Sequence, residues 1–255
     1  MKAVLYDVTR CAGCMLCVEA CAVRNGDHGA DLEGVLRRGE LSARRRSTVI
    51  RGPGGRYVRR HCQHCIEPSC ASACLVGALR KTENGPVAYD PELCIGCRYC
   101  MLACPFGFPR YEWENATPLM RKCEMCRDRA EGPACVEVCP RGAAEWGERD
   151  ALLAAAHARI AAHPGKYVPK VYGEHDLGGA CVLYLSDVPL DDLWPGGLEG
   201  HSIPELTQPF VEATPLLAGV VAGGLTLLSF VIHRRDRLAR EREEARKAAA
   251  EEVES

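Results

Sequence analysis

Aromatic residues make up only 6% of this 255-residue chain, with four phenylalanines and three tryptophans. So little aromatic mass argues against one large apolar core as the main organiser of the fold. There is no G-x-G-x-x-G turn and no Walker-type phosphate loop, which excludes the common nucleotide sites. No Ser/His/Asp arrangement is recognisable, so no residue reads as a substrate catalyst and a non-catalytic role is expected. Lys and Arg are missing from Val171 to His233, a stretch that holds eight Asp or Glu. Lys2–Val8 is too short for the apolar region of a signal peptide, and no apolar run follows Arg44–Arg46.

Cysteine, by contrast, is abundant: 17 residues, beside 25 glycines and 16 prolines. Sixteen of them form four quartets, each closed by a C-x3-C step. These are Cys11, Cys14, Cys17, Cys21; Cys62, Cys65, Cys70, Cys74; Cys94, Cys97, Cys100, Cys104; and Cys123, Cys126, Cys135, Cys139. The first and third have the C-x2-C-x2-C-x3-C spacing of two-cluster bacterial ferredoxins, whose fourth cysteine ligates the neighbouring cluster. Three thiolates wrap one corner of a cubane and the fourth arrives from elsewhere. Pro105 and Pro140 supply the C-P ending of two copies, whereas Ala22 and Leu75 follow the other two. Four quartets imply four [4Fe–4S] clusters, with the sixteen cysteines as iron ligands. A disulfide scaffold would be shorter and less repetitive. Four-cysteine zinc sites do not need the third cysteine or the recurring C-x3-C. A three-iron cluster would leave a ligand position unfilled, and none is. Cys181, far from any quartet, reads as a small buried apolar residue.

The formal charge of −2 counts thiols as neutral. Four oxidised clusters with their thiolates would add roughly −8. Arg37, Arg38, Arg44, Arg45, Arg46, Arg51, Arg56, Arg59 and Arg60 lie between the first two quartets and suit a solvated loop or a face for an acidic partner subunit. A nucleic-acid surface fits the rest of the chain less well.

The local pattern predicts a strand at Lys2–Asp7, a ligand loop, and a helix from about Leu16. Residues 23–60 read as an insertion ending in strands Thr48–Arg51 and Arg56–Arg60 around the Gly52–Gly55 turn. Ala78–Lys81, Asn84-Gly85 and Val87–Tyr89 read as strand, turn and strand. Tyr111–Lys122 reads as a polar connection. A helix is expected at Arg149–Ala162, with His157 and the nearby His163 on the surface. Val182–Leu185 should be a strand, and Gly178-Gly179 a tight backbone approach.

Pro215–Ile232 contains no charged residue. As a helix it would span about 27 Å, enough for a bilayer core. Arg234, Arg235, Arg237, Arg240 and Arg242 follow it, so the C-terminus is expected on the cytoplasmic side. The cluster domain would then face the periplasm, exported with a partner, or else the orientation is reversed and it stays in the cytoplasm.

Four quartets, the wide fourth spacing and one C-terminal span resemble the membrane-anchored iron–sulfur subunits of bacterial respiratory hydrogenases and formate dehydrogenases. The segment VYGEHDLGGACVLYLSDVP looks most like its counterpart in the HybA-type subunits. Cys181 stands where a threonine is common in that family, and a signal peptide of the HybA kind is not seen. The resemblance implies an α+β fold of tandem, interleaved dicluster ferredoxin-like modules. Its parts would be a four-cluster domain (1–148), an extension over it (149–209), a transmembrane helix (210–233) and a charged tail (234–255). It also implies a pairing of the first quartet with the fourth and the second with the third. One cluster would take Cys11, Cys14, Cys17 and Cys139, and a second Cys21, Cys123, Cys126 and Cys135. A third would take Cys62, Cys65, Cys70 and Cys104, and the fourth Cys74, Cys94, Cys97 and Cys100.

The function implied is a relay in the inner membrane. Electrons would pass from a nickel–iron hydrogenase or a molybdenum or tungsten formate-type catalytic subunit to a multi-span, cytochrome b or quinone-reactive subunit. The same relay could run in reverse, from quinol to a reductase of sulfur, nitrate or sulfoxide compounds. A structural or nucleic-acid-binding iron–sulfur protein would have no use for four clusters and a membrane span.

Overall fold

The structure is a computed structural model that describes residues 1–26, 40–114, 118–194 and 200–254. Arg37 and Arg38, and most of the expected 23–60 insertion before residue 40, lie outside the described residues. The chain divides into two compact units, Met1–Leu206 and Thr207–Ser255.

In the first unit, β1 (Lys2–Asp7) is the middle strand of a three-stranded sheet. It pairs antiparallel with β8 (Ala144–Glu148) and parallel with β9 (Val182–Leu185). Ala3 to Asp7 and all four β9 residues are buried, so the sheet is covered on both faces. Apolar side chains on successive positions require such cover. Leu152 and Ala156 of α5 (Arg149–Ala162) help close one face. Tyr172, Tyr184 and Trp194 join Leu5 and Leu183 in the main core, with the Trp194 ring 5.0 Å from that of Tyr184. The few aromatics are therefore concentrated where they anchor the extension to the sheet.

The cluster loops hang on short elements. α1 (Leu16–Arg24) follows the first quartet's loop, and α4 (Ala134–Glu137) carries Cys135 of the fourth quartet. These two helices contact each other. α2 (Ser69–Ser72) carries Cys70, α3 (Tyr99–Ala103) carries Cys100, and they likewise meet. β2 (Ser47–Arg51) and β3 (Tyr57–His61) form a hairpin, as do β4 (Leu79–Lys81) and β5 (Val87–Tyr89). Leu79, Val87, Tyr111 and Met120 build a second, smaller core with Cys70 and Cys100. Where a polar connection is expected, β6 (Arg110–Tyr111) pairs with β7 (Met120–Arg121). Tyr111 and Met120 explain this, since each is buried in that second core.

α6 runs from Ile203 to Glu254. It absorbs the expected span and the charged tail into one helix, with Pro209 and Pro215 inside it. Leu216, Leu217, Val220, Leu225 and Phe230 are all exposed. The Thr214 and Thr226 hydroxyls donate to the carbonyls of Phe210 and Ala222, four residues back. These threonine hydroxyls are thus satisfied within the helix, as suits a helix among lipid tails. It is long and apolar enough to cross a membrane.

Candidate cluster sites

All seventeen cysteines are free, so no disulfide framework exists. Among the described residues, no three His, Cys, Asp or Glu side chains close around a single metal ion. The thiols instead line open spaces, which suits a polynuclear cofactor better than zinc.

A cavity of about 380 Å³ is lined by Cys21, Cys123, Cys126 and Cys135. Beside it, Cys11, Cys14, Cys17 and Cys139 line a second space under Val49. Thus the structure brings thiols of the first and fourth quartets together, in two sets of four. In the other half, Cys65 lies in the electrostatic reach of Cys62, Cys104 and Cys70. Cys100 lies in that of Cys94, Cys74 and Cys97. The sets also touch one another. Cys17 feels Cys135, Cys123 feels Cys62, and Cys70 feels Cys100. Cys14 and Cys97, in the two outermost sets, are the exposed cysteines.

Local backbone geometry recurs. In the first C-x-x-C step of each quartet the residue before the second cysteine is left-handed: Gly13 (φ 69°), His64 (51°), Gly96 (70°) and Met125 (57°). Met15 and Arg98, each following the second cysteine of its loop, are left-handed too, both at 65°. This is strained backbone for a non-glycine residue. A peptide so turned can aim its N–H groups inward at an anion. His64 and Met125 were missed by sequence reasoning because only glycine advertises a positive φ.

Burial dominates the thiol chemistry. It pushes the Cys70 thiol up to about 12, helped by Cys62 and opposed by Lys122. Cys65 and Cys123 are raised by burial and then by neighbouring thiols. Thiols this reluctant to ionise become thiolates only when a metal takes the place of their protons. The donor set therefore fits iron–sulfur clusters, which supply one-electron redox chemistry when bound.

Polar groups within this shell hold the loops. The Lys81 ammonium donates to the carbonyls of His64 (2.9 Å) and Cys65 (2.8 Å) and to Cys181 Sγ (3.3 Å). Buried Lys122 donates to the carbonyls of Val87 and of Cys123, the latter at 3.0 Å. The extension reaches the second quartet directly. Ile66 N–H donates to the Gly179 carbonyl (2.9 Å), and Cys181 N–H to that of His64 (3.2 Å). Gly178 and Gly179 have φ of 78° and 92°, the close approach expected of them. Cys181 is fully buried in the main core, as expected, although its sulfur also accepts from Lys81. His157 is exposed and paired with Glu174 at 3.0 Å, and His163 is exposed as well.

One expectation fails. Arg59, read as part of a solvated basic loop, is 4% exposed. Strand alternation accounts for this, because Tyr57, Arg59 and His61 share one face of β3. That face lies against Cys17, Cys21 and Cys135. Arg44, Arg51 and Arg56 do behave as surface residues; Arg56 pairs with Asp187.

Residues 55–149 match the 4Fe–4S dicluster domain family. The chain is 39% identical over 253 residues to a protein of Nitratidesulfovibrio vulgaris strain Hildenborough, covering 93% of this chain and 68% of that one. It is 34% identical over 232 residues to hydrogenase-2 operon protein HybA of Escherichia coli O157:H7, covering 74% and 71%. It is 34% identical over 209 residues to the nitrate-inducible formate dehydrogenase iron–sulfur subunit of Escherichia coli K12, covering 71% and 66%. With cysteine-lined spaces of this kind and likeness over most of its length, the chain belongs to the 4Fe–4S dicluster family of HybA and the formate dehydrogenase iron–sulfur subunits.

Proposed function

We propose that this protein is the electron-transfer subunit of a membrane-bound respiratory oxidoreductase. It takes electrons from a hydrogenase or formate dehydrogenase catalytic subunit and delivers them to a multi-span, quinone-reducing membrane subunit. Four [4Fe–4S] clusters, when bound, would supply the one-electron redox chemistry. Their ligands are Cys11, Cys14, Cys17, Cys139; Cys21, Cys123, Cys126, Cys135; Cys62, Cys65, Cys70, Cys104; and Cys74, Cys94, Cys97, Cys100. The observation that carries this reading is the unbroken series of thiol sets, with an exposed cysteine in each of the two outermost sets. Inner sites shielded from water and outer sites near the surface suit a conductor with two docking ends. The likeness to HybA and to the formate dehydrogenase subunit supports both kinds of catalytic partner.

The chain's own residues ligate, space and shield. Lys81 of β4 holds the carbonyls of the second quartet's loop, and Lys122 ties the start of the fourth quartet to β5. α6 anchors the relay at the inner membrane, with the cluster domain in the periplasm and Arg234, Arg235 and Arg237 on the cytoplasmic side.

Anaerobically purified protein should carry about sixteen iron per chain on the four-cubane reading. On reduction it should show fast-relaxing, magnetically coupled EPR signals. A count near eight would refute four clusters, and redox-silent clusters would refute the relay. The metal in the co-purifying large subunit identifies the partner: nickel for a hydrogenase, molybdenum or tungsten for a formate-type enzyme.

A further inference from the structure

Arg59 stands in the wall between two thiol-lined spaces. It lines the cavity of Cys21, Cys123, Cys126 and Cys135, and also the adjoining space bounded by Cys11, Cys17 and Cys139. Arg24 and Arg127 line only the larger cavity. Arg59 is thus the basic residue common to both. It is also rigidly held. Tyr184 Oη donates to its carbonyl (2.9 Å), its Nη2 donates to Ser47 Oγ (3.1 Å), and its Cζ lies 5.8 Å from the Tyr6 ring centroid.

Its remaining donors are unspent. Nε and Nη1 are buried without a well-formed hydrogen bond to a protein atom, while the Cys17 thiol lies within hydrogen-bonding reach of the guanidinium. Burying a guanidinium with two idle nitrogens is costly unless an anion faces it. Lys122 is the instructive contrast, since its ammonium is occupied by two backbone carbonyls. Arg59 keeps its nitrogens for whatever fills the two spaces.

We propose that Arg59 is the shared tuning residue of the first two clusters, raising the reduction potential of both. The inference rests on the ligand sets given under Proposed function. Each cluster gains one negative charge when reduced, and a fixed cation in a low-dielectric wall stabilises that gain at both sites. The clusters of the second and third quartets lie outside the two spaces that Arg59 lines, so their potentials should not depend on it.

The test is an EPR-monitored redox titration of the full chain carrying Arg59→Met, with iron counted in parent and variant. The signals of this pair are assigned by their loss in Cys14→Ser and Cys126→Ser. Removing the charge should lower the reduction constants of both clusters about tenfold or more, about 59 mV for one electron. The other two clusters should titrate as in the parent, and Arg59→Lys should recover most of the shift. Parental potentials in a fully loaded Arg59→Met protein would overturn the proposal. If Met does not hold the pair, Arg59→Gln is titrated instead: the same fall supports tuning, and unchanged potentials reject it. Loss of this pair's iron in both neutral variants would make Arg59 a structural brace and also reject it. A parent without the pair's clusters would instead sink the ligand assignment itself.

Discussion

The Nδ1 atom of His64 accepts a hydrogen bond from the backbone N–H of Val87 at 2.9 Å. An accepting Nδ1 leaves the proton on Nε2. Burial holds this imidazole well below its ordinary pKa, reinforced by Lys122, His61 and Lys81, so it is neutral. The bond ties the second quartet's loop to β5, the strand that leads into the third quartet.

His64→Ala should therefore destabilise the protein by about 1–3 kcal/mol, because the buried Val87 N–H loses its acceptor. His64→Asn should recover part of this, since asparagine tolerates the left-handed φ of 51° and offers an oxygen. Denaturation of the metal-loaded protein measures both. Equal stability of parent and Ala variant would show that the bond does not matter.

Gly13 and Gly96 occupy equivalent places in the first and third quartets, with φ of 69° and 70°. An added Cβ at Gly13 would lie 2.6 Å from the Tyr57 ring, whereas at Gly96 the nearest atom is the Pro118 carbonyl oxygen at 3.8 Å. Gly96→Ala should cost only the left-handed penalty of about 1–2 kcal/mol. Gly13→Ala must also displace an aromatic ring and should lose the iron of its cluster. Iron counts on the two variants decide; equal iron content would mean that the Tyr57 contact is not limiting.

Cys139→Ser should damage the cluster served by Cys11, Cys14 and Cys17 rather than the one served by Cys123, Cys126 and Cys135. EPR of the single variant, compared with Cys14→Ser, reads this out. Damage confined to the set of Cys123, Cys126 and Cys135 would disprove the cross-pairing.

The arginines after His233 predict that protease added outside spheroplasts reaches the cluster domain while the C-terminal tail stays protected. A protected cluster domain beside a digested tail would reverse the orientation.

Much of the fold was legible because its signals are local. β9 and α5 fall on Val182–Leu185 and Arg149–Ala162 as expected, and the β2–β3 hairpin lies within one residue of its expected bounds. Period-2 and period-3.6 patterns need only neighbouring residues to be read. The β6–β7 pair escaped because two-residue strands carry no period. The place of Arg59 escaped for a different reason. A run rich in arginine looks solvated from either end, and nothing adjacent in sequence tells that Cys17, Cys21 and Cys135 will surround one member of it.

By itself the amino-acid sequence determined the chemistry: thiol spacing names the cofactor type, and a charge-free run names a helix able to span a membrane. Those properties depend on residue identity and short separations. Only the tertiary structure decided which thiols of distant quartets face the same space, that the sets adjoin in series, and that one buried cation sits between two of them. Such facts depend on contacts across 100 residues or more, such as Lys81 with Cys181 or Tyr6 with Cys135. They arise because burying the few available aromatics around β1 and β9 draws the four loops into one body.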